Sequence, residues 1–165
     1  MGAPVLTVFS RHPPPAANSP RCDAAAIKPA RRRYLLSSMP LTVLSVDDEP
    51  DITDLARFHL RGAGYDVLTA SSGREAIETV HARHPDLVLL DLMLPDIDGF
   101  SVCEMLRRNP ATAAIPIIVV SAWGTPEARD LGFELGVLDY VTKPFSPQDL
   151  IARVNKLLRL RSEPG

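Results

Sequence analysis

Residues 86–99 read DLVLLDLMLPDIDG. The run Leu87–Leu90 is apolar without alternation, as expected of a strand buried on both faces of a parallel sheet. It ends on a lone carboxylate, Asp91, and the chain then turns through Pro95 to Asp98-Gly99, where Asp98 is placed to cap a helix with Phe100, Cys103 and Leu106 inward. A charged residue at the carboxyl end of a buried strand is costly unless it does something there. Working outward, the same grammar recurs. LTVLSV (41–46) runs into Asp47-Asp48-Glu49-Pro50, IIVV (117–120) into Ser121, and Leu138–Val141 into Thr142-Lys143-Pro144. A further strand is expected at Tyr65–Ala70 and one at Asp86–Leu90.

Amphipathic stretches lie between these runs. Pro50 opens one with Ile52, Leu55, Ala56, His59, Leu60 and Ala63 as an inward stripe, ended by Gly62 and Gly64. Ser72 precedes a second that reaches His84 and stops at Pro85. Ser146-Pro147-Gln148-Asp149 starts the last, whose inner face is Leu150, Ile151, Val154, Leu157 and Leu158. Five strands alternating with five helices predict an α/β fold, a five-stranded parallel sheet with helices on both faces. Such folds place ligands at the carboxyl ends of the strands.

The chain has 165 residues with a net charge of −2 and 45% hydrophobic residues, enough for one ordinary domain. No run reaches the roughly 18 apolar residues of a membrane span. Cys22 and Cys103 cannot form a disulfide framework and fit a reducing, cytoplasmic setting. Charge is divided unevenly. Residues 1–38 hold six basic side chains against Asp23 alone, so the remainder carries −7, a poor nucleic-acid surface. Residues 1–38 are rich in Pro, Ala and Arg without helical or strand period, and are expected to form a disordered tail. Arg31-Arg32-Arg33 faintly resembles an export signal, but the apolar core such a signal requires is better used as the first strand; another reading starts translation at Met39. The domain is expected over 39–161, with 162–165 a short tail and no output domain after it.

The strand ends assemble Asp47, Asp48, Asp91, Ser121 and Lys143 on one edge. Three clustered carboxylates require a cation or protons, and hard oxygen donors with room for water suit Mg²⁺. The first turn, Asp-Asp-Glu-Pro, has no glycine loop to cradle a pyrophosphate. A carboxylate beside a metal and a lysine can attack a phosphoryl group, and the Ser121 hydroxyl is of a size to hydrogen-bond the product.

At this point residues 40–160 resemble the response-regulator receiver family of two-component systems and phosphorelays. The resemblance is carried by VDDEP, LDLMLPDIDG, SA and DYVTKPF, with Ser121 30 residues after Asp91 and Lys143 a further 22 on. It implies a flavodoxin-like strand order 2-1-3-4-5 and a phosphoacceptor at Asp91. It also implies metal ligation by Asp47, Asp48, Asp91 and the Met93 carbonyl, with Asp47 acting through water. Phosphate contacts are implied for Ser121, Ala122 and Lys143, a cis Lys143–Pro144 bond is expected, and Ser121 and Tyr140 form the switch pair, the ring turning inward. Met93 and Trp123 would flank the approach of hydrolytic water. The partners implied are a sensor histidine kinase or phosphotransfer protein and an unidentified downstream protein, with signalling through the fourth helix, fifth strand and fifth helix. Phosphorylation is expected to promote a homodimer through Arg129, Glu134, Asp139, Asp149, Arg153 and Lys156, pairing Arg129 with Asp149, Asp139 with Arg153, and Glu134 with Lys156 or Arg159. No direct nucleic-acid or membrane contact is expected. GVLDY departs from the commoner GADDY, Leu138 standing for an acid.

Two rivals are weaker. A haloacid-dehalogenase-type phosphohydrolase needs a second aspartate two residues after the nucleophile, where this chain has Met93, so no enzyme activity beyond self-phosphorylation and slow self-dephosphorylation is expected. A pseudo-receiver that takes no phosphate would have lost chemical positions, and here every one is filled. His59 reads as a boundary residue, His81 and His84 as cations at a helix end, and Cys103 as core.

Overall fold

The computed structural model describes residues 39–162, with side chains to residue 160. The tail of residues 1–38, Cys22, the Arg31-Arg32-Arg33 triplet and residues 163–165 lie outside the described residues.

Strands form where apolar runs were read: β1 (Thr42–Val46), β2 (Asp66–Ala70), β3 (Leu87–Leu90), β4 (Ile117–Ser121) and β5 (Asp139–Thr142). They pair in parallel in the order β2-β1-β3-β4-β5. This is the doubly wound, flavodoxin-like order expected. Between them run α1 (Pro50–Gly62), α2 (Gly73–Arg83), α3 (Gly99–Arg108) and α4 (Pro126–Glu134), and α5 (Pro147–Ser162) closes the domain.

Alternation along the strands divides the core in two. Leu44, Val46, Val88, Leu90, Ile117 and Val119 pack with Ala76 and Val80 of α2 and Val102, Cys103 and Leu106 of α3. Val43, Leu87, Leu89, Ile118 and Val120 pack on the other face with Ala56 and Leu60 of α1 and Leu150, Val154 and Leu158 of α5. The inward stripe of α1 differs from expectation: Thr53 is buried in it, its hydroxyl donating to the Pro50 carbonyl at 2.9 Å, while Leu55 and Ala63 face solvent. Thr53 satisfies its own hydroxyl within the helix, so burial costs little.

Helix starts follow local chemistry. Ser72, Asp98 and Thr125 accept hydrogen bonds from the amides of Glu75, Ser101 and Ala128, each cap stabilising by about 1 kcal/mol. Prolines stand at the first turns of α1 and α4, where the missing N–H costs nothing. At the end of α2 the chain leaves the helix through His84 in the left-handed region, φ 43°, immediately before Pro85. The helix therefore stops one residue earlier than its pattern suggested.

Candidate functional site: a carboxylate cluster bridged by a lysine

Register decides which strand ends meet. Val46 lies opposite Leu90, and Leu90 opposite Val119, so the residues that follow, Asp47 and Asp91, emerge side by side. The Asp91 amide donates to the Val46 carbonyl at 2.9 Å and the Asp47 amide to the Ala70 carbonyl at 3.0 Å, which holds both main chains in the sheet. Across β4 and β5, Ser121 pairs with Thr142, and the Lys143 amide donates to the Ser121 carbonyl at 2.9 Å. Lys143 is thus carried to the same edge. The Lys143–Pro144 bond is cis.

Side chains converge accordingly. Carboxylate oxygens of Asp47, Asp48 and Asp91 lie within 4.8 Å of one another, Asp47 and Asp91 buried and Asp48 exposed. The Lys143 ammonium bridges the two buried acids, 2.6 Å from Asp47 Oδ2 and 3.0 Å from Asp91 Oδ2, with Glu49 Oε1 at 3.4 Å. Burial of Asp47 pushes its carboxyl above the ordinary carboxylate value, against the pull of Lys143 and the Glu49 amide. Burial alone would lower the Lys143 pKa, but hydrogen bonds and charge from Asp47 and Asp91 together outweigh it and raise it above the usual lysine value. An ammonium between two carboxylates is balanced only in part. The set retains net negative charge and free oxygen lone pairs, the donor chemistry of a hard divalent cation.

Asp91 Oδ1 accepts from the Met93 amide at 3.2 Å, leaving the Met93 side chain 62% exposed. Ser121 is fully buried and its Oγ accepts from the Trp123 amide at 3.2 Å, while Ala122 is exposed. Tyr140 is buried, and its hydroxyl donates to the Trp123 carbonyl. The ring is already inward, where the sequence reading had it turning inward on phosphorylation. Desolvation of the buried ring raises the Tyr140 pKa, so it stays a donor. The Trp123 ring is half exposed and packs on Phe100, centroids 6.2 Å apart and planes at 52°.

Four of the expected dimer residues, Arg129, Asp139, Asp149 and Arg153, find partners inside the chain. Arg153 Nη1 lies 2.7 Å from Asp139 Oδ1 and its Nε 2.8 Å from Asp149 Oδ2. Arg129 donates to Thr142 Oγ1 at 2.7 Å, with its guanidinium carbon 5.1 Å from the Tyr140 ring centroid, rather than reaching for a carboxylate. The Asp139–Arg153 pair read as intermolecular is therefore intramolecular in this structure, because α5 packs beside β5 and brings the two within reach. Glu134 and Lys156 are exposed. Sequence reasoning also missed Glu49 beside Lys143 and the Arg129–Thr142 bond. The second had no signal, since it depends on where α4 lies across β5.

Comparison with known proteins agrees with this geometry. The sequence model described as "Response regulator receiver domain" matches residues 43–155. Over 117 residues the chain is 45% identical to the DNA-binding dual master transcriptional regulator RpaA of Synechocystis, covering 71% of this chain and 48% of that protein. Over 121 residues it is 46% identical to the alkaline phosphatase synthesis transcriptional regulatory protein PhoP of Bacillus subtilis, covering 73% and 49%. The chain thus spans about half the length of these relatives. A solved structure of a response regulator from Chloroflexus aurantiacus superposes with a TM-score of 0.70 at 41% identity, covering 73% of this chain and 99% of that one.

Proposed function

The chain belongs to the response-regulator receiver family of two-component systems, and on that premise we propose that it is a phosphorylation switch whose acceptor is Asp91. The supporting observation is the Lys143 ammonium seated between the carboxylates of Asp47 and Asp91, with Asp48 completing a cluster within 4.8 Å. Mg²⁺ fits this set: Asp48 and Asp91 would hold it directly and Asp47 through water, with the Met93 carbonyl as the further donor that the family resemblance implies. When bound it supplies positive charge opposite the oxygens of an incoming phosphoryl group.

The donor is a phosphohistidine of a sensor kinase or phosphotransfer protein. An Asp91 carboxylate oxygen forms the new bond to phosphorus, and the electron pair of the breaking P–N bond returns to the donor imidazole. Lys143 stays charged at neutral pH and offsets the dianionic product. Ser121 exchanges the Trp123 amide for a phosphate oxygen, with the Ala122 amide beside it. Release of the Trp123 main chain then alters α4, β5 and α5, the face a downstream protein reads. On that face the phosphorylated form self-associates, Arg129 and Arg153 exchanging their partners within the chain for Asp149 and Asp139 of a second copy.

Catalysis is confined to the domain's own phosphoryl group, and the protein is not an enzyme toward other substrates. The acidic domain does not itself contact nucleic acid, and it works in the cytoplasm. No described helix is long and apolar enough to cross a membrane.

Incubation with acetyl phosphate and Mg²⁺, read by phosphate-affinity gel and intact mass, tests the acceptor. The wild type should gain one phosphoryl group and Asp91→Asn none. Equal label on Asp91→Asn would overturn the assignment.

A further inference from the structure

The loop from Leu92 to Asp98 carries Met93, whose amide holds Asp91 Oδ1 and whose carbonyl faces the acidic cluster in the reading above. Leu92 is buried and Leu94 and Ile97 pack partly against the core, but Met93 itself and the apex residues Pro95 and Asp96 are exposed, so no side chain buries the apex. Its carboxyl end is fastened by the Gly99 amide to the Leu92 carbonyl at 3.0 Å and by Asp98 capping α3. Its apex is fastened differently. Asp96 reaches across to another helix, where its Oδ1 accepts from the Gly73 amide at 2.8 Å and its Oδ2 from the Arg74 amide at 3.0 Å. These are the first two amides of α2, donors a helix leaves unpaired and which favour an anion by dipole as well.

A separate geometric observation supports a built contact. A Cβ on Gly73 would stand 2.4 Å from the Ile97 carbonyl oxygen and 2.9 Å from Ile97 Cβ, so the start of α2 lies flush against the loop only because residue 73 lacks a side chain. The Asp96 carboxyl is also held down to about 2, chiefly by the Ile97 amide, with those of Arg74 and Gly73 adding, so it is ionised throughout the working pH range. Meanwhile α2 has its own cap in Ser72, whose Oγ accepts from the Glu75 amide at 3.2 Å, and Glu75 reaches back to the Ser71 amide at 2.7 Å. Those two bonds serve the Glu75 and Ser71 amides, and the Gly73 and Arg74 amides are left to Asp96.

We propose that Asp96 is a positioning residue of the phosphoryl site, a cap supplied in trans that pins the acceptor loop to α2 and thereby sets the Met93 main chain against Asp91. This rests on the acceptor reading above. A loop free at its apex lets the Met93 amide and carbonyl drift, and misplacement on the order of 1 Å costs up to about 100-fold in a positioned reaction.

The test compares Asp96→Ala, Asp96→Asn, Gly73→Ala and Ser72→Ala in the full chain. Each is assayed for folding by circular dichroism, for beryllofluoride affinity with Mg²⁺ through Trp123 emission, and for the acetyl phosphate labelling rate. Asp96→Ala should lose about tenfold in labelling rate while folded, and Asp96→Asn, which retains one acceptor oxygen, should recover part of it. Gly73→Ala leaves the carboxylate intact but pushes the loop away, and should reproduce the loss. Ser72→Ala removes a cap of the same helix without touching the loop, and should lower Tm with little effect on rate. Equal rates in Asp96→Ala and wild type, or equal losses in Ser72→Ala and Asp96→Ala, would overturn the inference. If Asp96→Ala does not fold, Asp96→Asn and Gly73→Ala decide it on the same readouts. A wild type that neither labels nor binds beryllofluoride would instead refute the acceptor reading.

Discussion

The Tyr140 hydroxyl donates to the main-chain carbonyl of Trp123, and the amide of the same residue donates to Ser121 Oγ at 3.2 Å. Both members of the expected switch pair are therefore tied to one peptide segment, the turn between β4 and α4. Under the proposed switch, motion of the Ser121 hydroxyl toward a phosphate would break one of the two ties. The Tyr140 ring is already buried in this structure, so under that switch what would change is the segment it holds.

Removing the phenol should loosen that segment. Tyr140→Phe deletes a hydrogen bond whose acceptor can turn to water beside the half-exposed Trp123, so the cost is about 1 kcal/mol. Trp123 is the one tryptophan of the chain, so its emission reports the turn directly. Acrylamide quenching should increase in Tyr140→Phe, and beryllofluoride should change the emission of the wild type more than that of the variant. Identical quenching would show that the bond does not hold the turn.

Metal dependence of stability should vary with pH in a definite direction. Burial raises the Asp47 pKa above the ordinary carboxylate value of 3.8. Between those two values the folded state keeps a proton that the unfolded state has lost. Stability from this group is therefore full below the ordinary value and falls as pH rises through the raised one. Above that window the buried anion repels Asp91, and Mg²⁺ relieves it. Millimolar Mg²⁺ should raise Tm clearly at about pH 7 and much less at about pH 4, where protons compete for the same oxygens. Calorimetry with Mg²⁺ and with a chelator measures this; an equal shift at both pH values would contradict it.

The aspartyl phosphate should be long-lived, lasting minutes or more. Neither Met93 nor Trp123 offers a strong side-chain acceptor to orient a water in line with the scissile bond as an Asn or Glu could, since the indole N–H only donates and the thioether accepts weakly. Orienting groups supply orders of magnitude in rate. Replacing Met93→Asn and Trp123→Glu together should speed phosphate loss at least several-fold, roughly the scale of one positioned polar group. Decay of the double variant at the wild-type rate would show that these side chains do not gate water.

Self-association should be weak and salt-sensitive. Arg153 already pairs with Asp139 and Asp149 within the chain, so a dimer gains only the difference between two sets of exposed pairs, each worth about 0–1 kcal/mol. Sedimentation of the beryllofluoride form should show dimer at low salt and monomer at high salt, and Arg153→Ala should abolish the dimer. A monomer at high concentration and low salt would exclude it.

Cys103 should be inert. It is fully buried in the α3 side of the core, and burial pushes its thiol up to about 12. At pH 8 the thiolate population is negligible, so alkylation by iodoacetamide should proceed at Cys103 only after unfolding. Peptide mapping before and after denaturant distinguishes this; rapid native labelling would show that α3 opens readily.

The residues that form the carboxylate–lysine cluster, Glu49 excepted, were legible in the chain itself, and the reason is periodicity. A parallel sheet buried on both faces leaves each strand as an apolar run, and Asp47, Asp91, Ser121 and Lys143 stand out as the polar residues that end or directly follow such runs. Caps were legible too, because Ser72, Asp98 and Ser146 act within their own helices over a few residues. Tertiary structure alone decided how the elements meet. Register brought Lys143 between Asp47 and Asp91, the lie of α5 along β5 turned Arg153 onto Asp139 within the chain, and the approach of α2 to the acceptor loop gave Asp96 its two amides. Local patterns report which face of an element seeks burial, because burial of a face depends on spacing along one segment. A contact between Asp96 and Gly73, 23 residues apart, depends on the packing of two helices against one sheet, and no local period encodes it.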